Sequence, residues 1–427
     1  MYDLAVIGAG WAGFNAALKA KESGLKVCLI ESGPIGGTCL NRGCIPTKSL
    51  IASAKTYSLV KKSSVFGVES DNPRFDFARI RQRTDSIIRT LSQGMQSRLG
   101  GVDFVNSAAQ IISQNEIRAA GQTISSGTIL IATGSRPVEL PQFKFDPGKV
   151  LSSDEMLVLS SLPSSLLIVG GGVIGCEFAS LFSLLGVKVA ILEKMPVLLP
   201  GEDNEISRKI EVIFKKRGID VFTGAELSGV NPDTYDKVLV CTGRQPNVEG
   251  LGLEKLGIKL DKKGIAVDDF LMTSIPGIYA AGDSTGRIML AHYAAYQGLT
   301  AAENISGNRR KADNLTVPAC VFCDPEIASV GLNEETAVSR GIAVKTRKFD
   351  FRASAMGRII DETEGFIKIV VGKDSEEVVG GCIIGPKATE LISVLTMAVS
   401  LRLKLSDMRR IIFAHPTLSE SLHDAVK

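Results

Sequence analysis

Histidine is scarce in this 427-residue chain, which holds only His292, His415 and His423. Eight cysteines over that length exclude a disulfide scaffold, and in a reducing compartment a close pair among them points to redox or metal chemistry. Charge of one sign is also missing: 49 basic residues face 46 acidic ones, leaving +3, so no polyanion partner is implied. The basic triplets Lys215-Lys216-Arg217 and Arg309-Arg310-Lys311 read as solvated turns or helix ends rather than nucleic-acid patches. No long hydrophobic run survives inspection. The uncharged stretch from Met156 to Cys176 is broken by Ser160-Ser161-Leu162-Pro163-Ser164-Ser165 and by glycines 170 to 172, so it reads as a linker and a buried strand, not a membrane span. Because the first strand begins at once, a signal peptide is not expected and a cytoplasmic location is.

What is present is repeated. Tyr2 to Ile7 is a short apolar run, followed by Gly8-Ala9-Gly10-Trp11-Ala12-Gly13, an apolar helical stretch to Lys21, and a second run Val27 to Ile30 closed by Glu31. Strand, glycine turn, helix, strand and acid form a dinucleotide-binding pattern: the glycines admit a pyrophosphate to the helix start, and the acid holds a ribose hydroxyl. The same unit returns 162 residues later, Gly8 mapping to Gly170, Gly10 to Gly172, Gly13 to Gly175 and Glu31 to Glu193. A second echo joins Ala132-Thr133-Gly134-Ser135-Arg136-Pro137 to Cys241-Thr242-Gly243-Arg244-Gln245-Pro246. One chain therefore carries two dinucleotide sites, and its length suits about three domains.

Between the two units lies Gly36-Gly-Thr38-Cys39-Leu-Asn-Arg-Gly-Cys44-Ile-Pro-Thr-Lys48. Only four residues separate the cysteines, so a structural bridge here would remove little loop entropy, whereas a dithiol that opens and closes in turnover needs this proximity. Cys320-Val-Phe-Cys323 has metal-knuckle spacing but no second Cys or His pair nearby, and is read as core, as are Cys28, Cys176, Cys241 and Cys382. Near the C-terminus, His415-Pro-Thr-Leu-Ser-Glu420 offers a base that suits thiol chemistry near neutral pH, with an acid able to fix its ring; a histidine capping the terminal helix is the alternative.

These motifs, with Ala281-Gly282-Asp283, Met289-Leu290-Ala291-His292 and Ala414-His415-Pro-Thr-Leu-Ser-Glu420, resemble the flavin-dependent disulfide oxidoreductases over the whole chain, and within them the dihydrolipoamide-oxidising branch. The resemblance implies an α/β chain with two Rossmann-like domains, for FAD (1–137) and NAD (138–262, shortened), a central region completing the FAD site (263–313) and a C-terminal α+β dimerisation domain (314–427). It places Gly8, Gly10, Gly13, Glu31, Thr38, Thr133, Gly134, Asp283 and the backbones of Ala109 and Ala291 at FAD. Lys48, paired with Glu177, is expected at the flavin, and Gly170, Gly172, Gly175, Glu193 and Gly243 at NAD. Glu193 would repel a 2′-phosphate, favouring NAD over NADP.

The implied chemistry is oxidation of protein-bound dihydrolipoamide, with His415, held by Glu420, as base, Cys39 as the interchange sulfur and Cys44 facing the flavin. Charge on His415 and a helix start after Cys44 would both favour thiolate. Expected partners are the lipoyl domain of a 2-oxoacid dehydrogenase or glycine-cleavage complex and a second copy of the chain, His415 of one protomer completing the other's site. Glutathione-, mycothione- and mercuric-reductase-like activities compete with this reading. The chain ends His423-Asp-Ala-Val-Lys427 rather than in a cysteine pair, and Ser421 follows the Ser-Glu where glutathione-type enzymes usually carry an acid. A mainly structural subunit of such a complex is disfavoured by the intact Cys39, Cys44, His415 and Glu420. Three departures stand out: Trp11 where the family has Pro, Phe413 where it often has His, and a short stretch between Val221 and Val238 where it carries a longer strand meander.

Overall fold

The structure is a computed structural model that describes residues 1–226, 230–312 and 316–427. Strand β1 (Tyr2–Ile7) pairs in parallel with β2 (Val27–Glu31) and, on its other side, with β6 (Gln122–Ile131). Strands β1 and β2 are largely buried, as parallel strands covered on both faces must be, which is why they read as apolar runs rather than alternating ones. With β3 (Asp103–Asn106), β4 (Ala109–Ser113) and β5 (Glu116–Ala119) they form a sheet in the order β3-β2-β1-β6-β5-β4.

Helix α1 (Trp11–Glu22) lies on this sheet and buries Ala12, Ala16, Ala17 and Ala20. Small side chains let the helix Ala291–Ile305 come very close: a Cβ at Gly298 would sit 2.1 Å from the Ala12 carbonyl oxygen. Two short helices then follow, α2 (Gly37–Arg42) and α3 (Cys44–Lys61), before the amphipathic α4 (Phe77–Arg98), capped by the Asp76 carboxylate accepting from the Arg79 N–H at 3.1 Å.

Strand β7 (Ser135–Pro137) leads into a second sheet, five parallel strands in the order β11-β10-β9-β12-β8: β8 (Val150–Leu151), β9 (Ser165–Val169), β10 (Lys188–Glu193), β11 (Asp220–Thr223) and β12 (Lys237–Val240). The run that reached membrane-spanning length is β9 and the start of helix Val173–Leu184, packed between this sheet and α3. Among the described residues no helix is long and apolar enough to cross a membrane. In the shortened region the described residues between β11 and β12 include a 3-10 turn at Pro232–Thr234; residues 227–229 of that stretch lie outside the described residues.

The second sequence echo has a structural counterpart. Strand β13 (Arg244–Pro246) pairs antiparallel with β7, Arg244 opposite Pro137 and Pro246 opposite Ser135, so the two repeated segments tie the two nucleotide sheets together. Strand β14 (Ile278–Ala280) returns to the first sheet beside β6. The anticipated boundary at residues 313 and 314 falls outside the described residues.

The last sheet is antiparallel, β15-β16-β19-β18-β17, built from β15 (Ala319–Val321), β16 (Glu326–Gly331), β17 (Val344–Asp350), β18 (Phe366–Gly372) and β19 (Val378–Gly385), with helices Ala388–Ser400 and Glu420–Val426 packed on it. The terminal helix starts at Glu420, after a turn in which Thr417 and Ser419 spend their hydroxyls on each other and on the Ala414 carbonyl. The core strand β18 carries a charge: Lys368, 4% exposed at its side chain, meets Asp203 and Glu205 at 2.9 Å each and also Glu334. Asp203 and Glu205 open the helix Asn204–Lys216, so this cluster binds the antiparallel sheet to the second nucleotide sheet.

Candidate redox site and nucleotide cradles

The two cysteines stand at a helix break. Cys39 lies on α2; Gly43, at φ −150° and ψ −115°, interrupts the helix, and Cys44 opens α3. A Cβ at Gly43 would come within 2.9 Å of the Thr38 carbonyl oxygen, so a side chain there would push the two helices apart. Cys44 is therefore at a helix N-terminus that no side chain caps, where free N–H groups favour a thiolate.

Both sulfurs are half-buried thiols acting on one another. The Cys39 thiol donates toward Cys44, and this bond lowers Cys44 to about 7; burial opposes the shift and the Lys48 ammonium reinforces it. Cys39 is correspondingly pushed up, first by its bond to Cys44 and then by burial, while the Trp11 indole and Lys48 pull the other way. The arrangement favours the thiolate on Cys44 over one on Cys39.

Lys48, one turn along α3 from Cys44, donates to both Glu177 carboxylate oxygens at 2.9 and 2.8 Å. Glu177 is buried on the helix Val173–Leu184 and also accepts from the Phe322 N–H at 2.9 Å, while the Phe322 ring lies 4.8 Å from the Lys48 ammonium. The expected pairing is thus present, and it crosses from the first nucleotide unit to the second. Phe322 was not legible in advance; its only signal was its place inside the Cys320–Cys323 segment, where both cysteines pack as small side chains on and beside β15. Among the described residues no group of three or more His, Cys, Asp or Glu is placed to hold a metal ion.

Both glycine turns have the shape a pyrophosphate needs. A Cβ at Gly8 (φ +105°) would lie 2.3 Å from the Ala132 carbonyl oxygen and one at Gly13 would lie 1.9 Å from that of Gly8, yet Gly10 faces open space. The second turn repeats this closely: Gly170 (φ +115°) meets the Cys241 carbonyl at 2.7 Å, Gly175 meets that of Gly170 at 1.9 Å, and Gly172 is open. Packing forbids side chains at the flanks of each turn, and the middle glycine leaves the helix start clear for a ligand.

The acids match as well. Glu31 accepts from the Ala9 and Gly33 N–H groups at 2.7 Å each, and Glu193 accepts from those of Gly171 and Met195 at 2.6 Å each. Each carboxylate is clamped at the mouth of its turn with lone pairs left for ribose hydroxyls. These cradles fit two dinucleotides.

Of the other expected residues, Thr133 and Gly134 are tied to Asn247, and Asp283 to Ser135. Thr133 and Gly134 follow β6, with the Thr133 hydroxyl donating to the Asn247 carbonyl at 2.6 Å. Asp283 accepts from the Ser135 hydroxyl at 2.6 Å; burial raises its carboxyl, and Ser135 and Arg244 counter that. Arg244 donates to the Ser135 hydroxyl and carbonyl at 2.9 and 2.8 Å, so Ser135 and Arg244 join the site through the sequence echo that contains them. Ala109 starts β4 just past the bond from the Ser107 N–H to the Glu31 carbonyl, Ala291 is the first residue of the helix packed on α1, and Gly243 is the strained turn (φ +143°) before β13.

His415 and Glu420 are joined, Nδ1 to Oε1 at 2.9 Å, while the other Glu420 oxygen accepts from the Thr417 N–H at 3.0 Å. These two bonds, the backbone one first, hold the Glu420 carboxyl below its ordinary range. The His415 side chain is 74% exposed. Among the described residues the base is left largely uncovered.

Fold and site together define a class: an oxidoreductase with two dinucleotide cradles flanking a dithiol. The chain belongs to the family described as pyridine nucleotide-disulphide oxidoreductase, whose profile matches residues 2–298, with its dimerisation domain matching residues 317–426. It is similar to a dihydrolipoyl dehydrogenase of Chlamydia muridarum, 39% identical over 98% of this chain and 95% of that one, and to one of Geobacillus stearothermophilus, 39% identical over 99% and 95%. Among solved structures it resembles LpdA of Mycobacterium tuberculosis (29% identity, TM-score 0.92, 99% and 98% covered) and the HOCl-induced flavoprotein disulfide reductase RclA of Escherichia coli (30%, 0.89, 100% and 99%).

Proposed function

We propose that the chain oxidises protein-bound dihydrolipoamide with NAD, through FAD and a redox-active Cys39–Cys44 pair. The observation that carries this reading is the place of Cys44 at an uncapped helix start, one turn from a Lys48 locked to Glu177. A thiolate held in place beside a flavin cradle is what dithiol oxidation requires.

The bond between His415 Nδ1 and Glu420 leaves Nε2 to take a proton from a substrate thiol. The resulting thiolate attacks Cys39 Sγ, the Cys39–Cys44 bond breaks, and the electron pair stays on Cys44. The second substrate thiol then attacks the substrate sulfur bound to Cys39, closing the oxidised lipoyl ring and releasing Cys39. Bound FAD would accept the electron pair and pass it as hydride to the nicotinamide. Gly8, Gly10, Gly13, Glu31, Thr38, Thr133, Gly134, Asp283, Ala109 and Ala291 would hold FAD; Gly170, Gly172, Gly175, Glu193 and Gly243 would hold NAD. Glu193, already clamped by two N–H donors, has no room to turn away from a 2′-phosphate, which favours NAD.

The proposed division is an FAD domain 1–137, an NAD domain 138–262, a central region 263–313 and an interface domain 314–427, although Leu251, Leu253 and Ile258 pack into the core of the first sheet rather than the second. The exposure of His415 supports a homodimer in which it serves the partner's dithiol, as do the exposed apolar side chains Ile412, Met397 and Leu401 on the same domain. The lipoyl domain of a 2-oxoacid dehydrogenase or glycine-cleavage complex is the expected substrate, met in the cytoplasm. The test compares flavin-loaded protein on dihydrolipoamide with NAD, glutathione disulfide with NADPH, and mercuric ion with NADPH. The first pair is expected to be fastest; a faster rate with either other pair would replace this reading.

A further inference from the structure

By the sequence echo, Arg244 belongs to the second nucleotide unit: it follows Gly243 (φ +143°) as Ser135 follows Gly134. A residue so placed would be expected to serve the second cradle, yet its guanidinium is spent on the first unit. Arg244 opens β13, which pairs antiparallel with β7. Across that ribbon its Nε donates to the Ser135 hydroxyl at 2.9 Å and its Nη2 to the Ser135 carbonyl at 2.8 Å. The same hydroxyl donates to Asp283 Oδ2 at 2.6 Å.

The direction of these bonds is fixed by the groups themselves. A guanidinium has donors and no acceptor, so the Ser135 oxygen accepts from Arg244 and its single proton is left for Asp283. Asp283 in turn is anchored on the flavin side. Its 3-10 turn, Gly282–Thr285, starts at a glycine (φ +74°) where a Cβ would lie 3.1 Å from the Ala12 Cβ on α1 and 3.3 Å from the Ala294 Cβ. The Gly282 N–H also donates to the buried Gln297 side chain at 2.8 Å. Among the described residues only Oδ2 of Asp283 is engaged by a hydrogen bond, so Oδ1 is left for a ligand hydroxyl. Charge supports the same arrangement: burial works against the charged form of Arg244, and Asp154 and Asp283 favour it, Asp154 also meeting Arg42 at 3.5 Å.

We propose that Arg244 is a positioning residue of the flavin site: acting through the Ser135 hydroxyl, it holds the Asp283 carboxylate for a hydroxyl of FAD, so retention of the flavin depends on a residue of the NAD unit. The proposal rests on the reading of the first cradle and Asp283 as the FAD site. A carboxylate steered by a hydroxyl whose own orientation is fixed loses less freedom when the ligand arrives, and in this way a residue without ligand contact raises affinity.

The test measures FAD affinity of the apoprotein by quenching of flavin fluorescence and, in parallel, NAD affinity of the flavin-saturated protein by equilibrium titration. Arg244→Met should weaken FAD binding roughly ten- to a hundredfold, the range for lost hydrogen bonds to a charged group, and leave NAD affinity unchanged. Arg244→Lys, which keeps the charge and a donor, should recover part of the loss. Ser135→Ala should weaken FAD binding by a similar factor, and adding it to Arg244→Met should cost little more, because both changes break the same path. An FAD affinity unchanged in Arg244→Met overturns the proposal, as does a parallel loss of both affinities, which would mark a general loosening of the β7–β13 ribbon. Fully additive losses overturn it too, since Arg244 would then act by another route. Should Arg244→Met not fold, Ser135→Ala decides alone, and an FAD affinity unchanged in that variant overturns the proposal. An FAD affinity unchanged in Asp283→Ala would instead remove the flavin reading of Asp283 on which it rests.

Discussion

At the level of single residues, the place of one charge decides the chemistry. Cys44 is lowered to about 7 and Cys39 is raised, so in the reduced protein the thiolate belongs to Cys44 above about pH 7 and is lost below it. In reduced, flavin-loaded protein the thiolate-to-flavin absorbance should fade as pH drops through this value, and Lys48→Met should move the midpoint upward by removing a cation that favours the charged form. A midpoint unchanged by Lys48→Met would contradict that. Glu420→Gln should cost roughly 10²-fold in kcat at neutral pH, because the ring of His415 loses its carboxylate partner while Cys39 and Cys44 are untouched; a steady-state assay reads it. At the second cradle, Glu193→Ser should narrow the preference for NAD over NADP, and an unaltered ratio of kcat/KM values would remove the assigned basis of coenzyme choice.

At the element scale, the site exists because helices begin where strands and glycines deliver them. The strand-turn-helix units were legible because close approach leaves only glycine at Gly8, Gly13, Gly170 and Gly175, and the fixed offset between them doubled the signal. Helix α4 is local in the same sense: its amphipathic pattern and its Asp76 cap both lie within one stretch of sequence. What escaped the sequence were contacts made across long separations, such as Phe322 on Lys48, Arg244 on Ser135, and the antiparallel pairing of the two echoed segments. None of these has a local pattern. Lys368 belongs with them: in β18 it looks like an intrusion into an apolar run, and only the fold reveals three carboxylates from two other segments around it. Lys368→Met should lower stability by about 3–5 kcal/mol, since it strands those carboxylates beside a buried strand. Urea unfolding measures it, and a loss under 1 kcal/mol would mean water already shields the cluster.

At the scale of the whole molecule, the dithiol and the base lie on opposite parts of one chain, with Cys39 and Cys44 in the flavin unit and His415 exposed on the dimerisation domain. The sequence could name both halves of the site but not join them, and under the proposed function a second copy joins them. Mixing Cys44→Ser and His415→Gln protomers tests this. Each variant alone should be inactive, and after random exchange roughly a quarter of wild-type sites should return, each pairing an intact dithiol with an intact histidine from its neighbour. No recovery would place the base in the same chain as the thiols it serves.

The central claim is that electrons leave dihydrolipoamide through the Cys39–Cys44 pair. Its most direct measurement is dihydrolipoamide turnover with NAD by flavin-loaded Cys44→Ser beside wild type. The expected result is turnover by wild type and a loss of roughly 10³-fold or more in Cys44→Ser at unchanged flavin content, as for removal of an obligatory covalent step. Turnover by Cys44→Ser within a few-fold of wild type would contradict the account.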